Sequence, residues 1–221
     1  MENEVLMTDK DYSHVMLIAD RSGSMQGIAA EANAAIKQFM EDQAKEPGRI
    51  TVDVIVFDDK IDVLAEHTDP SKVSGEVIEP RGLTAMNDAI GFGIKRLGRK
   101  LSLMKEDDRP GLVVVVIVTD GMENASKEFG PHQIREMVRE QTEKWQWQFV
   151  FLAANIDTFG TAQNLGFDPT RSAGYVATAS GVANSYSSLS TNMSRGRKMS
   201  AAGETADLSF SEEDREEAMG A

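Results

Sequence analysis

Seven consecutive apolar residues, Leu112 to Val118, run straight into Thr119-Asp120-Gly121. A membrane-spanning helix needs about 20 apolar residues, so this run is too short to cross a bilayer. A strand apolar at every position has both faces covered, as the central strand of a parallel sheet does. The remaining chain supplies the covering layers. Strands are expected at His14–Asp20, Ile50–Asp58, Gly111–Asp120 and Gln148–Ala154, with short ones at Ile61–Glu66 (an edge) and Gly174–Ala177. Between them, apolar residues recur at helical spacing. Ile28, Ala32, Ala35, Ile36, Phe39 and Met40 share one face of a helix over 27–45, which Pro47-Gly48 closes. Ile90, Ile94, Leu97 and Leu101 do the same over 86–101, and Ile134, Met137, Val138 and Trp145 are expected to face inward over 131–145. A short helix over 157–165 and a final one carrying Val182, Tyr186, Leu189 and Met193 complete an α/β alternation. That order predicts a mostly parallel sheet with helices on both faces.

Composition narrows the function classes. The 221 residues contain no cysteine, which removes disulfides and thiolate chemistry and fits a reducing, cytoplasmic location. The start, MENEVLMTDKDYSH, lacks the basic and apolar regions of a signal peptide. A net charge of −13 opposes binding to nucleic acid or to an anionic membrane. Seven acidic residues and one arginine fall between Glu204 and Ala221. Residues 1–11 read as an N-terminal extension, 12–195 as one domain, and 196–221 as an acidic tail, flexible or loosely docked. Within the tail, Ser211 is placed to cap a short helix.

In an open parallel sheet, ligands bind beyond the carboxyl ends of the strands. Two expected strands end in an aspartate followed by a glycine-containing polar loop: Asp20-Arg21-Ser22-Gly23-Ser24 and Thr119-Asp120-Gly121. Ser22 and Ser24 alternate, so both hydroxyls can face one point. Thr84 lies directly before the 86–101 helix, facing the same rim. Asp20, Ser22, Ser24, Thr84 and Asp120 thus offer an all-oxygen donor set, which suits a hard cation: Mg²⁺ first, with Mn²⁺ or Ca²⁺ able to substitute. Neutral hydroxyls leave such an ion electrophilic and open to an outside anion. The competing reading makes Asp20, Ser22 and Thr84 helix caps.

D-x-S-x-S after the first strand, a threonine in the middle loop and T-D-G after the most apolar strand resemble the von Willebrand factor type A (vWA) domain and its metal-ion-dependent adhesion site (MIDAS). The resemblance spans roughly residues 12–195. It implies a Rossmann-like, doubly wound sheet with the metal at its top edge. By that resemblance Ser22, Ser24 and Thr84 contact the metal through hydroxyls, Asp20 and Asp120 act largely through bridging waters, and a partner protein's Asp or Glu fills the open position. Leu83 stands where many relatives carry a second glycine before the threonine. A small cysteine-free domain further resembles the bacterial and bacteriophage intracellular proteins of this family.

Other residues carry weaker signals. His14, His67 and His132 have no zinc-ligand spacing and read as ordinary surface histidines. Asp58 and Asp59 read as a solvated turn, with a place near the metal rim as the alternative. Glu123 and Asn124 read equally as partner-facing or as plain loop residues. Gly91-Phe92-Gly93 reads as helix packing, and of Trp145 and Trp147 one is expected in the core and one outside. Arg195, Arg197 and Lys198 are available to pair with the acidic tail.

The expected function is a non-enzymatic, divalent-metal-dependent module that captures an acidic side chain of a partner protein. A Mg²⁺-dependent phosphohydrolase is the first alternative, with Arg21 and Arg81 the only cations near the motifs. A scaffold whose site is occupied by its own acidic tail is the second.

Overall fold

A computed structural model describes residues 8–73 and 75–220. The first seven residues of the expected N-terminal extension lie outside that range, and Asp9 already opens the first strand. Six strands are formed: β1 (Asp9–Asp20), β2 (Arg49–Phe57), β3 (Ile61–Thr68), β4 (Pro110–Thr119), β5 (Gln148–Ala153) and β6 (Ser172–Gly174). They make one sheet in the order β3-β2-β1-β4-β5-β6. All pairings are parallel except β2 with the edge strand β3. The continuously apolar β4 lies inside the sheet, beside β1, as its composition demands.

Six α-helices cover the two faces: α1 (Ala29–Lys45), α2 (Met86–Leu103), α3 (Pro131–Trp145), α4 (Thr158–Leu165), α5 (Ala179–Ala201) and α6 (Glu212–Ala218). Alternate strand residues point to opposite faces. Val15, Leu17 and Ala19 of β1 meet α1 and α5, whereas Met16 and Ile18 meet α2. Gly93 lets α2 settle onto Met16 and Ile18, because a Cβ there would stand 3.0 Å from the Met16 sulfur. Helix packing therefore accounts for the Gly91-Phe92-Gly93 segment. The result is a three-layer α/β fold of the doubly wound, Rossmann-like kind.

Several sequence expectations are corrected. The segment after α5, expected as a tail, packs on the core. Leu208, Phe210 and Ala218 are buried in the α1/α5 core, and Ser211 caps α6 reciprocally with Asp214. A tail that is acidic overall still buries four apolar residues, Ala206 being the fourth, and their burial outweighs its charge. Residues 206–218 thus belong to the same packed unit as 12–195. Arg195 does pair with the tail, with the Asp207 carboxylate at 3.6 Å, and also reaches the carbonyls of Asp207 and Ser209, whereas Arg197 is buried on the carbonyls of Gln43 and Pro47. Trp145 points outward at the end of α3 and Trp147 is the core member of the pair. The sixth strand sits two residues earlier than expected. His14 is fully buried and His67 half-buried, so neither is a surface histidine; His132 is exposed.

Candidate metal centre

β1 and β4 are neighbours whose onward connections leave in opposite directions, β1 toward β2 and β4 toward β5. Their carboxyl ends flank the crevice that this divergence opens. Asp20 is the last residue of β1 and Asp120 follows the last residue of β4. Three loops meet there, and backbone hydrogen bonds fasten them together. The N–H of Arg81 donates to the Arg21 carbonyl at 2.8 Å, and that of Gly23 to the Gly82 carbonyl at 3.2 Å. The N–H groups of Asn124 and Ala125 both donate to the Thr84 carbonyl. Gly82 has φ +69°, and a Cβ there would collide with Asp59, so this turn requires glycine. Leu83, beside it, simply points into solvent.

The five expected residues come together. The Ser22 and Ser24 hydroxyls lie 2.9 Å apart, and Ser24 donates to Asp120 at 2.5 Å. Asp20 accepts from the Ser22 N–H and the Thr119 hydroxyl, both at 2.6 Å. Gly121 locates the convergence point. A Cβ built on it would sit 3.1 Å from both the Ser24 and Thr84 hydroxyl oxygens and 3.7 Å from Asp20 Oδ2. A cradle of oxygens around a position kept clear by glycine fits a small hard cation. Asp20, Ser22, Thr84 and Asp120 are buried, whereas Ser24 is exposed, so the cradle opens to solvent on the Ser24 side. The capping alternative does not hold: neither Ser22 nor Thr84 makes a side-chain cap, and Ile28 and Ala85 occupy the N-cap positions of α1 and α2.

Electrostatics point the same way. Burial pushes the Asp20 carboxyl up to about 6, although the Thr119 and Ser22 hydrogen bonds act against the rise. Burial also raises Asp120, with the Ser24 hydrogen bond opposing. Two buried carboxylates ionise reluctantly unless positive charge is close. Arg21 and Arg81 do not supply it. Both turn away to Asp58, at 2.9 and 2.6 Å, and to Asp62. Asp58 is itself fully buried, which overturns its reading as a solvated turn. Burial alone would raise its pKa. The hydrogen bonds from Arg81 and the Lys60 N–H, with the charges of both arginines, outweigh that and hold it below the usual carboxylate range.

Sequence reasoning missed the supports of the site. Asn124 accepts from the Thr84 N–H at 2.9 Å, and Glu123 accepts from the N–H groups of Asn87, Ala125 and Ser126. These two residues tie the loop after β4 to the start of α2, and so fix Thr84. Tyr175, just after β6, is buried beneath the site with its hydroxyl donating to the Thr119 carbonyl at 3.3 Å. Burial raises its pKa well above 10, with the nearby charges of Tyr186, Asp120 and Asp20 adding to the effect. Nothing in its local sequence marks Tyr175, because the sheet brings it there.

No protein-family model and no curated protein sequence matches the chain. Solved structures do share its architecture, which is that of von Willebrand factor type A domains. One is proximal thread matrix protein 1 of the mussel byssus, with a TM-score of 0.59 and 15% identity over 83% of this chain. A second structure of that protein, with zinc in its MIDAS motif, gives 0.54 at 16% identity. The vWF domain of the pilus tip protein Mfa5 from Porphyromonas gingivalis gives 0.58 at 8% identity, covering 82% of this chain and 94% of that one. Manganese-loaded TRAP of Plasmodium vivax gives 0.56 at 13% identity, covering 76% and 70%. The chain spans about half the length of the mussel protein, 46%. At these identities the likeness establishes the fold. Among the described residues, no helix is long and apolar enough to cross a membrane.

Proposed function

We propose that the chain is a divalent-metal-dependent protein-binding module in which Asp20, Ser22, Ser24, Thr84 and Asp120 hold the ion. One observation carries this reading: the Ser24 and Thr84 hydroxyls and the Asp20 carboxylate surround a single point that Gly121 leaves clear, on the open side of the sheet. The ion would supply a localised positive charge with hydroxyl and carboxylate ligands, Mg²⁺ being the best chemical match and Mn²⁺ or Ca²⁺ workable substitutes. Zinc in the MIDAS motif of the mussel protein and manganese loading of the Plasmodium protein support a divalent ion here. The protein's own groups would set how deep the ion sits and which side stays open, and exposed Ser24 marks the side from which an acidic side chain of a partner approaches.

A non-enzymatic role is part of the proposal. Arg21 and Arg81, the cations nearest the motifs, are committed to Asp58 and Asp62 and form no clamp for a phosphoryl group. The acidic tail is not the proposed occupant. Its Asp207 and Asp214 carboxylates accept from Ser209 and Ser211, and among the described residues none of its acidic side chains hydrogen-bonds to the five. We further propose a cytoplasmic setting, for which the absence of cysteine is the support.

Mn²⁺ titration of the metal-stripped chain tests the site, with capture of proteins from native lysate in Mg²⁺ or EDTA testing the module. One equivalent of Mn²⁺ is expected in the wild type and none in Asp20→Ala. Partners should elute with EDTA. Capture that persists in EDTA, or unchanged in Asp20→Ala, overturns the reading.

A further inference from the structure

A second cluster lies in the same sheet, toward its opposite end. We propose that His14, Asp53 and His67 form a site for a borderline transition-metal ion, Zn²⁺ or Co²⁺ in type, separate from the hydroxyl-rich centre.

Register assembles it. In the β1–β2 pair His14 stands opposite Thr51, and Met16 opposite Asp53. In the β2–β3 pair Val54 faces Ala65 and Val52 faces Thr68, so two residues, Glu66 and His67, stand against Asp53 alone. This is a β-bulge, a device that re-aims a side chain. It holds His67 at φ +49°, in the left-handed region that non-glycine residues seldom occupy. The His67 N–H donates to Asp53 Oδ1 at 2.6 Å and locks the bend.

Each imidazole is fixed from behind. His14 Nδ1 is 2.8 Å from the Thr51 hydroxyl, and His67 Nε2 is 2.8 Å from the Tyr12 hydroxyl. Those hydroxyls lie 2.7 Å from each other. Metal-binding histidines are characteristically oriented by a hydrogen bond through the ring nitrogen that does not bind the metal. The nitrogens left over, His14 Nε2 and His67 Nδ1, are both buried and have no hydrogen-bond partner. One ring nitrogen from each histidine and an Asp53 carboxylate oxygen lie within 4.8 Å of one another. Tetrahedral ligands at about 2.0–2.1 Å from zinc sit roughly 3.3 Å apart, so the cluster needs a contraction that the edge strand carrying His67 can make.

An ion pair of protonated His14 with Asp53 explains less. The Nε2–Oδ1 separation is 3.6 Å, too long for a hydrogen bond, and His67 Nδ1 stays orphaned. The neighbouring cations have partners of their own: Arg49 stands over the Tyr12 ring, 4.1 Å from its centroid. Arg96 and Lys100 of α2 are both engaged by Glu66, at 2.7 and 3.3 Å. Two imidazoles and one carboxylate select zinc, cobalt or iron over magnesium.

Co²⁺ titration of the metal-stripped full chain in excess Mg²⁺ tests the assignment, read by visible d–d absorption. One equivalent should bind in the wild type and in Asp20→Ala alike, and Zn²⁺ should displace it. His67→Ala should lower the affinity at least a hundredfold, and Tyr12→Phe by about ten- to a hundredfold through loss of the rear hydrogen bond. Because His67→Ala alters a bulge, ¹⁵N-histidine spectra of the wild type give an answer without substitution. Zn²⁺ should shift the ring nitrogens of His14 and His67 and leave those of His132 unmoved. Absence of Co²⁺ binding, loss of the signal in Asp20→Ala, or unmoved His14 and His67 resonances overturns the proposal.

Discussion

The carboxyl end and the middle of β1 make opposite use of buried polarity. At its carboxyl end, hydroxyls and carboxylates from three loops surround a point open to solvent beside Ser24. About six residues back, roughly 20 Å along the strand, His14 joins groups from two neighbouring strands, with His14 and Asp53 buried and His67 half-buried. Loops give the rim an adaptable all-oxygen set that an outside ligand can complete. Strands give the base a set of mixed nitrogen and oxygen that the pairing register brings together, with hydroxyls behind it. The lesson concerns where specificity is stored: in the sequence of a loop at the rim, and in the pairing register at the base.

The strongest way to break this contrast is Asp58→Ala. Removing a buried carboxylate leaves Arg21, 6% exposed, with only the half-exposed Asp62 as partner, and breaking a buried pair costs about 3–5 kcal/mol. Urea unfolding should show that loss, and the damage should fall on the rim, where Arg21 and Arg81 hold two of the three loops. The effect also carries a pH signature. A carboxylate held below its usual range stabilises the fold above the unfolded value of about 3.9, and that stabilisation disappears as pH falls through the folded value. The stability gap between wild type and Asp58→Asn should therefore be full at neutral pH and close in acid.

Asp20→Ala should remove at least a hundredfold of Mn²⁺ affinity at the rim, measured by calorimetry, while the base keeps its Co²⁺ equivalent. Gly121→Ala should be as severe. Its methyl would stand at the point left for the ion, 3.1 Å from two of the hydroxyl oxygens, and a loss of about a hundredfold or more in Mn²⁺ affinity is expected, about 2.7 kcal/mol. Asn124→Ala should have the smallest effect. It removes one acceptor from the Thr84 N–H, for about 1 kcal/mol of stability and a severalfold loss of Mn²⁺ affinity. An Asn124→Ala chain that binds Mn²⁺ like wild type would show that the loops hold Thr84 without it.

How much of this was legible follows the same division. The apolar run 112–118 announced the interior strand, and Pro131 to Trp145 bounded α3 residue for residue. The rim residues were legible because Ser22 and Ser24 alternate within one loop and both aspartates end strands. The base was not, because His14, Asp53 and His67 are related only by pairing, and the bulge that aims His67 has no local signature. Asp58 was misread for a similar reason: its two arginines arrive from other loops. The tail's docking was not legible because what Ala206, Leu208, Phe210 and Ala218 pack against is set only by the fold.

The path of α5 has a consequence for how the chain is made. β1, at the centre of the sheet, is synthesised first, and later strands are added on one side and then the other. The helix that covers β1 beside α1 arrives only after residue 179, and Leu208, Phe210 and Ala218 follow it. At about 5–20 residues per second, the earliest strand emerges some ten seconds or more before its last cover. During that interval the nascent chain displays a sticky, half-clad surface. Newly made molecules therefore need a holding chaperone most before residue 218 has emerged.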